Sequence, residues 1–179
     1  MGDVIIMRKG LKETYDWYEG RGKQFIDEYT NVGEYVKKYN EVNGTNEVSG
    51  VYMICFNNLP IAIGESSQMG VRFMEHVRAL EEDGKELWGV NIEEIKAGKI
   101  TIKIEVLKTG LLNEIDRRDA EIGEINEYQP IFQVEYEKYY PNDKAQKQNG
   151  RWLLRHEIRE DQYIKRKYRR ERIEEFLDL

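Results

Sequence analysis

The chain reads as an α+β protein: a small three-stranded antiparallel sheet flanked by helices, with a helical arm before it and a long helix after it. Three observations predict this. Two apolar runs, residues 50–56 and 59–64, are separated by the turn pair Asn57-Asn58, which is the pattern of a hairpin. A third run, residues 99–107, alternates β-branched with polar side chains through Ile100, Ile102, Ile104 and Val106. The segments around these runs instead repeat apolar residues every three or four positions, the period of a helix with one buried face.

In chain order, residues 8–42 carry Leu11, Tyr15, Tyr18, Phe25, Ile26 and Tyr29 at helical spacing, interrupted by Gly20-Arg21-Gly22 and Gly33. Two or three short helices are expected there, followed by a loop at residues 43–46. After the hairpin, Ser66 or Ser67 is placed to cap a helix running to about residue 82, with Met69, Phe73, Val77 and Leu80 as its buried stripe. Arg72 and His76 lie one turn apart on a neighbouring face of that helix. A polar stretch leads into the third strand. A second long helix is expected over 111–128, with Leu111, Ile115, Ile122 and Ile125 as its stripe and Pro130 as its stop. Glu121 falls on the border of that stripe, where its carboxylate is partly desolvated. Residues 133–149 read as a polar loop, and 152–177 as the final helix. The chain therefore divides into an extension (1–48), a core (49–133) and a C-terminal loop and helix (134–179).

Composition narrows the functional classes. With 179 residues, 40% of them hydrophobic, the chain can bury a core. No apolar run approaches the ~20 residues of a bilayer span, and no basic and apolar leader opens the chain, so a cytoplasmic protein is expected. The single cysteine, Cys55, sits in a strand pattern as a small core residue, and two histidines with one cysteine make no zinc cluster of the usual kind. The net charge of −6 conceals a split: residues 151–172 carry nine Lys/Arg against four Asp/Glu, which leaves −11 for the rest. Lys165, Arg166, Lys167, Arg169 and Arg170 crowd this segment beside Tyr163 and Tyr168. Such a helix suits the phosphates of a nucleic acid, and equally a solvated helix laced with Glu pairs.

The order strand, turn, strand, helix, strand, helix, with Gly50-Val51-Tyr52 on the first strand, Ala62-Ile63-Gly64 on the second, Arg72 eight residues later, His76 four after that and Glu121 nine before Pro130, resembles the GIY-YIG nuclease family over residues 49–133. The closing run from Glu121 to Gln133 is similar to that of the nuclease domain of the bacterial excision-repair protein UvrC. The resemblance implies a metal-dependent endonuclease acting on DNA, double-stranded by analogy with restriction-type or phage-type members, and is compatible with a homodimer that cuts both strands. It implies that Glu121 holds one Mg²⁺ or Mn²⁺, that Arg72 grips the scissile phosphate, that Tyr52 positions or deprotonates the attacking water, and that His76 contacts phosphate or joins the proton transfer. One phosphate has to reach Tyr52, Arg72 and Glu121, so the resemblance requires them to open on one surface. Gln133 stands where the family has Asn and joins the expected nucleic-acid contacts. Two further departures are Ala62, where the second signature has Tyr, and Glu65, which brings negative charge close to the expected phosphate path. These departures also fit a catalytically degenerate module that binds nucleic acid. An acidic surface that mimics DNA for a basic partner is disfavoured by the +5 segment. His156 is expected to be an ordinary helix histidine.

Overall fold

The computed structural model describes residues 13, 14, 16–29, 48–133 and 166–179. The sheet is three-stranded and antiparallel, in the order β2-β1-β3, built from β1 (Gly50–Phe56), β2 (Leu59–Ser66) and β3 (Ile102–Thr109). The hairpin forms where the sequence places it. Asn57 and Asn58 both take positive φ, 49° and 65°, which a two-residue turn matched to the twist of its strands requires. The Asn57 amide also accepts from Thr101 N–H at 2.8 Å and donates to the Lys99 carbonyl at 3.1 Å, tying the turn to the start of β3.

β1 is the central strand and is buried along its whole length. Its alternate residues face two separate layers. Tyr52, Ile54 and Phe56 join the larger core with Phe73, Val77 and Leu80, whereas Val51, Met53 and Cys55 pack with Ile63 and Ile125. β2 tolerates Pro60 because it is an edge strand with a bulge where Cys55 pairs with Pro60 and Ile54 with Ala62. The bulge turns Ile61 into the larger core, while Ile63 faces the smaller one. Burial pushes the Cys55 thiol up to about 11, in keeping with a small core residue.

The helix after the hairpin, α2 (Met69–Trp88), keeps the expected stripe: Met69, Phe73, Val77 and Leu80 are all buried. Each such side chain removed from water contributes about 1.5–3 kcal/mol. Its start and end differ from the expectation. Gln68 rather than a serine occupies the cap position, and Ser66 Oγ instead accepts from Gln68 N–H at 3.0 Å. The helix also continues past residue 82 through a kink at Asp83 and stops at Gly89, whose φ of +69° is left-handed. Glu and Lys are good helix formers, and Trp88 supplies a further buried position for the extra turns. A short helix, α3 (Ile92–Lys96), was not expected, although Asn91 and Glu94 form a reciprocal capping box that the sequence displays.

The second long helix, α4 (Glu114–Tyr128), begins at Asn113, whose side chain accepts from Ile115 N–H at 2.8 Å. Its expected apolar stripe needs correction. Leu111 precedes the helix, Ile115 is 54% exposed, and the buried face is Arg117, Arg118, Glu121, Glu124 and Ile125. Ion pairs let this polar face go under: Arg117 with Glu65, Arg118 with Glu114 and Glu124 with Lys108.

α1 (Lys23–Tyr29), entered through a π-helical turn at Tyr18–Gly22, and the C-terminal α5 (Arg166–Leu177) both contribute to the larger core, through Trp17, Phe25, Ile26 and Ile173. The described parts of the expected extension and C-terminal helix thus share the core of the sheet. Among the described residues no helix is long and apolar enough to cross a membrane.

Candidate active site

Tyr52 reaches its position because β1 points it towards α2 while its neighbour across the hairpin, Gly64, has no side chain. A Cβ at Gly64 would stand 2.5 Å from the Tyr52 hydroxyl oxygen and 2.7 Å from its Cζ, so the ring lies directly across β2 at this glycine. The Tyr52 ring packs edge-on against Phe73 at 5.1 Å and its hydroxyl lies 2.7 Å from His76 Nε2. His76 in turn meets Trp88 at 5.4 Å, and Trp88 stacks on Phe132 at 6.3 Å.

Burial, and then the nearby Arg72 charge, lower the His76 pKa to about 3, so its ring is neutral at physiological pH. When Nδ1 carries the ring proton, Nε2 accepts a hydrogen bond from the Tyr52 hydroxyl. Arg72 follows the opposite logic. Burial works against its charge, but Tyr52 and Glu75 outweigh it and hold the guanidinium pKa above its ordinary value. Arg72 pairs with Glu75 Oε2 at 2.7 Å and lies within electrostatic reach of Tyr52, and about half of its side chain remains exposed. A hydroxyl, a neutral base and a permanent cation therefore meet at one point of the α2 face.

Glu121 arrives differently. It lies one turn before Ile125, and Ile125 packs on the sheet face of Val51, Met53, Cys55 and Ile63, the reverse of the face that Tyr52 occupies. Glu121 is 1% exposed. The structure thus brings Tyr52, His76 and Arg72 together but not Glu121, and the single surface that the resemblance requires is not formed in this conformation.

Among the described residues no group of three or more His, Cys, Asp or Glu side chains could hold a metal ion. In chemical kind, a lone carboxylate with water and a substrate phosphate suits Mg²⁺ or Mn²⁺, which retain several waters. Its burial means the ion reaches Glu121 only once the carboxylate is uncovered.

Several expected nucleic-acid contacts are corrected by the structure. Gln133 is fully buried: its amide oxygen accepts from Ile63 N–H at 2.8 Å and its NH₂ donates to the Ile63 carbonyl at 3.2 Å. With Ile131 and Phe132 donating to the Pro60 and Ile61 carbonyls at 3.0 Å each, residues 131–133 line the β2 edge, and the amide serves as a further rung. Arg169 donates to the Leu87 carbonyl and covers the Phe132 ring at 4.9 Å. Arg170 grips both oxygens of Glu94 at 2.7 and 2.9 Å and bonds Gly89 and Glu174. These two arginines dock α5 rather than face a phosphate. The helix also shows the Glu pairing that its charge pattern allowed, in Arg170 with Glu174 and Arg172 with Glu175. Lys165 and His156 lie outside the described residues, as do the side chains of Arg166 and Lys167.

Glu65 is settled by strand alternation. It pairs with Val51, on the face opposite Tyr52, and its carboxylate meets Arg117 at 2.8 Å. Ala62 is half-buried against the larger core and brings no polar group to it. Sequence reasoning missed Trp88 and Phe132 and missed that Arg117 pairs with Glu65; the sign of Arg117 was its four-residue spacing from Glu121 on one helix. No family model, curated protein or solved structure matches this chain.

Proposed function

We propose that the chain is a metal-dependent endonuclease of the GIY-YIG kind that hydrolyses phosphodiester bonds of double-stranded DNA. The observation that carries this reading is the hydrogen bond between Tyr52 and a neutral His76, with the Arg72 guanidinium beside it. Phosphodiester hydrolysis needs an oriented, deprotonated water and a cation on the phosphoryl oxygens. In this reading the Tyr52 phenol, fixed by its hydrogen bond to His76 Nε2 and flanked by the Arg72 guanidinium, orients the attacking water. Arg72 leaves Glu75 for the phosphate, a task for which a planar guanidinium fork is suited. A divalent ion on Glu121, when bound, would stabilise the charge on the phosphate and on the leaving oxygen. A cytoplasmic location and a homodimer that cuts both strands belong to the same proposal.

A second reading, a DNA-binding module without catalysis, is favoured by Ala62 and by the burial of Glu121. One experiment separates the two. Purified protein is incubated with supercoiled plasmid and Mg²⁺ or Mn²⁺, with EDTA and Glu121→Ala as controls. Cleavage lost in both controls supports the nuclease. Cleavage that survives Glu121→Ala removes the metal role of Glu121, and a DNA shift without cleavage in any metal supports the binding module.

A further inference from the structure

We propose that Arg117 is a positioning residue for this site, setting where the Glu121 carboxylate stands relative to β1 and β2; the inference rests on the nuclease reading. Arg117 is 7% exposed and holds three parts of the fold at once. Its Nε donates to Glu65 Oε2 at 2.8 Å, on the residue directly after Gly64. One terminal nitrogen donates to Ser49 Oγ at 3.2 Å, three residues before Tyr52. The same nitrogen, its two hydrogens shared among three acceptors, also donates to the Leu111 and Leu112 carbonyls at 3.1 and 2.8 Å, at the entry to α4. Ser49 adds its own bonds to this knot: its hydroxyl donates to the Leu111 carbonyl and its carbonyl accepts from Leu111 N–H at 3.3 Å.

One guanidinium therefore joins the start of β1, the end of β2 and the entry to the helix that carries Glu121. Glu121 lies one turn further along the same buried face, about 6 Å up the helix axis. With one end of α4 pinned to both strands, the helix can neither slide nor rotate without breaking the clamp. A misplacement of about 1 Å at a reacting centre can cost about 100-fold in rate. Lysine cannot replace this arrangement. Its three donors radiate from one atom, whereas the bonds of Arg117 leave from Nε and a terminal nitrogen in a fixed plane.

The test compares wild type, Arg117→Lys and Glu65→Gln, the last retaining an oxygen acceptor for Nε without its charge. Three quantities are read: the Mn²⁺ concentration giving half-maximal single-turnover cleavage of a plasmid, the shift in unfolding temperature caused by Mn²⁺ without DNA, and the affinity for a labelled duplex in EDTA. Expected for Arg117→Lys are a rate at least tenfold lower, a Mn²⁺ midpoint raised severalfold and a reduced Mn²⁺ stabilisation, with duplex affinity within twofold of wild type. Glu65→Gln is expected to move the same quantities in the same direction by a smaller factor, and it decides the matter if Arg117→Lys does not fold. A wild-type Mn²⁺ midpoint and Mn²⁺ stabilisation in a folded variant overturn the positioning role, even if its unfolding temperature falls. A wild-type protein that neither cleaves DNA nor responds to Mn²⁺ overturns the nuclease reading itself, and this inference with it.

Discussion

His76 makes the protein acid-sensitive in a way that can be worked from its surroundings. Burial behind Tyr52 and Trp88, and the charge of Arg72, lower its pKa from 6.5 to about 3. As the pH falls below 6.5 the unfolded chain takes up this proton first, while the folded protein resists it until near pH 3. The contribution of His76 to stability is therefore complete above pH 6.5 and is lost progressively towards pH 3, at about 1.4 kcal/mol per pH unit. By pH 4 the loss is about 3 kcal/mol, a large share of the 5–15 kcal/mol typical of a folded domain. Urea unfolding followed by tryptophan fluorescence at pH 7, 6, 5 and 4 measures it, with His76→Phe as the comparison. The carboxylates titrate in both proteins, so the difference in slope isolates the histidine. At pH 7 the variant is less stable by about 1–3 kcal/mol, because the buried Tyr52 hydroxyl loses its bond to Nε2. Towards pH 4 the two stabilities converge. Parallel slopes across this range would refute a buried neutral imidazole, and with it the hydrogen-bond acceptor behind Tyr52.

Two glycines give further tests. Gly89 combines φ of +69° with the backbone of α5, since a Cβ there would stand 2.7 Å from Arg170 N and 2.8 Å from Arg169 C. Gly89→Ala should cost about 2–4 kcal/mol, left-handed strain adding to a clash, and should make α5 the first site of limited proteolysis. A loss below about 1 kcal/mol in urea unfolding would show that α5 is not pressed against this turn. Gly64→Ala should displace the Tyr52 ring, lowering plasmid cleavage at least tenfold while duplex affinity in EDTA stays within twofold. Full activity in that variant would mean that the position of the Tyr52 hydroxyl does not matter to the reaction.

The hairpin, the α2 stripe and the one-turn spacing of Arg72 and His76 were legible in the sequence because each depends on local pattern, whereas the grouping of those two with Tyr52 came from the resemblance. Alternation, helical period and four-residue spacing place side chains on a face whatever packs against it. The same locality allowed the Asn91 and Glu94 capping box to be read, although it was passed over. What failed depended on partners far along the chain. Ile115 was assigned inward because it is apolar, yet α4 buries Arg117, Arg118, Glu121 and Glu124. A buried charge needs a counter-charge, and that of Arg117 lies 52 residues away on β2. Arg169 and Arg170 carried the charge that suits a phosphate, but their partners, Leu87, Gly89 and Glu94, come close only when α5 docks beside the end of α2. Gln133 presented a free amide in the sequence and spends it on Ile63, 70 residues earlier.

By itself, then, the sequence determined the strands, the period of α2 and which polar residues the chain carries, because backbone propensity and side-chain direction are local. Tertiary structure alone decided which of those residues are already used. A long-range ion pair or hydrogen bond leaves no periodic trace in the chain, and the difference between a basic helix that waits for a phosphate and one held by a glutamate is made entirely by what folds against it.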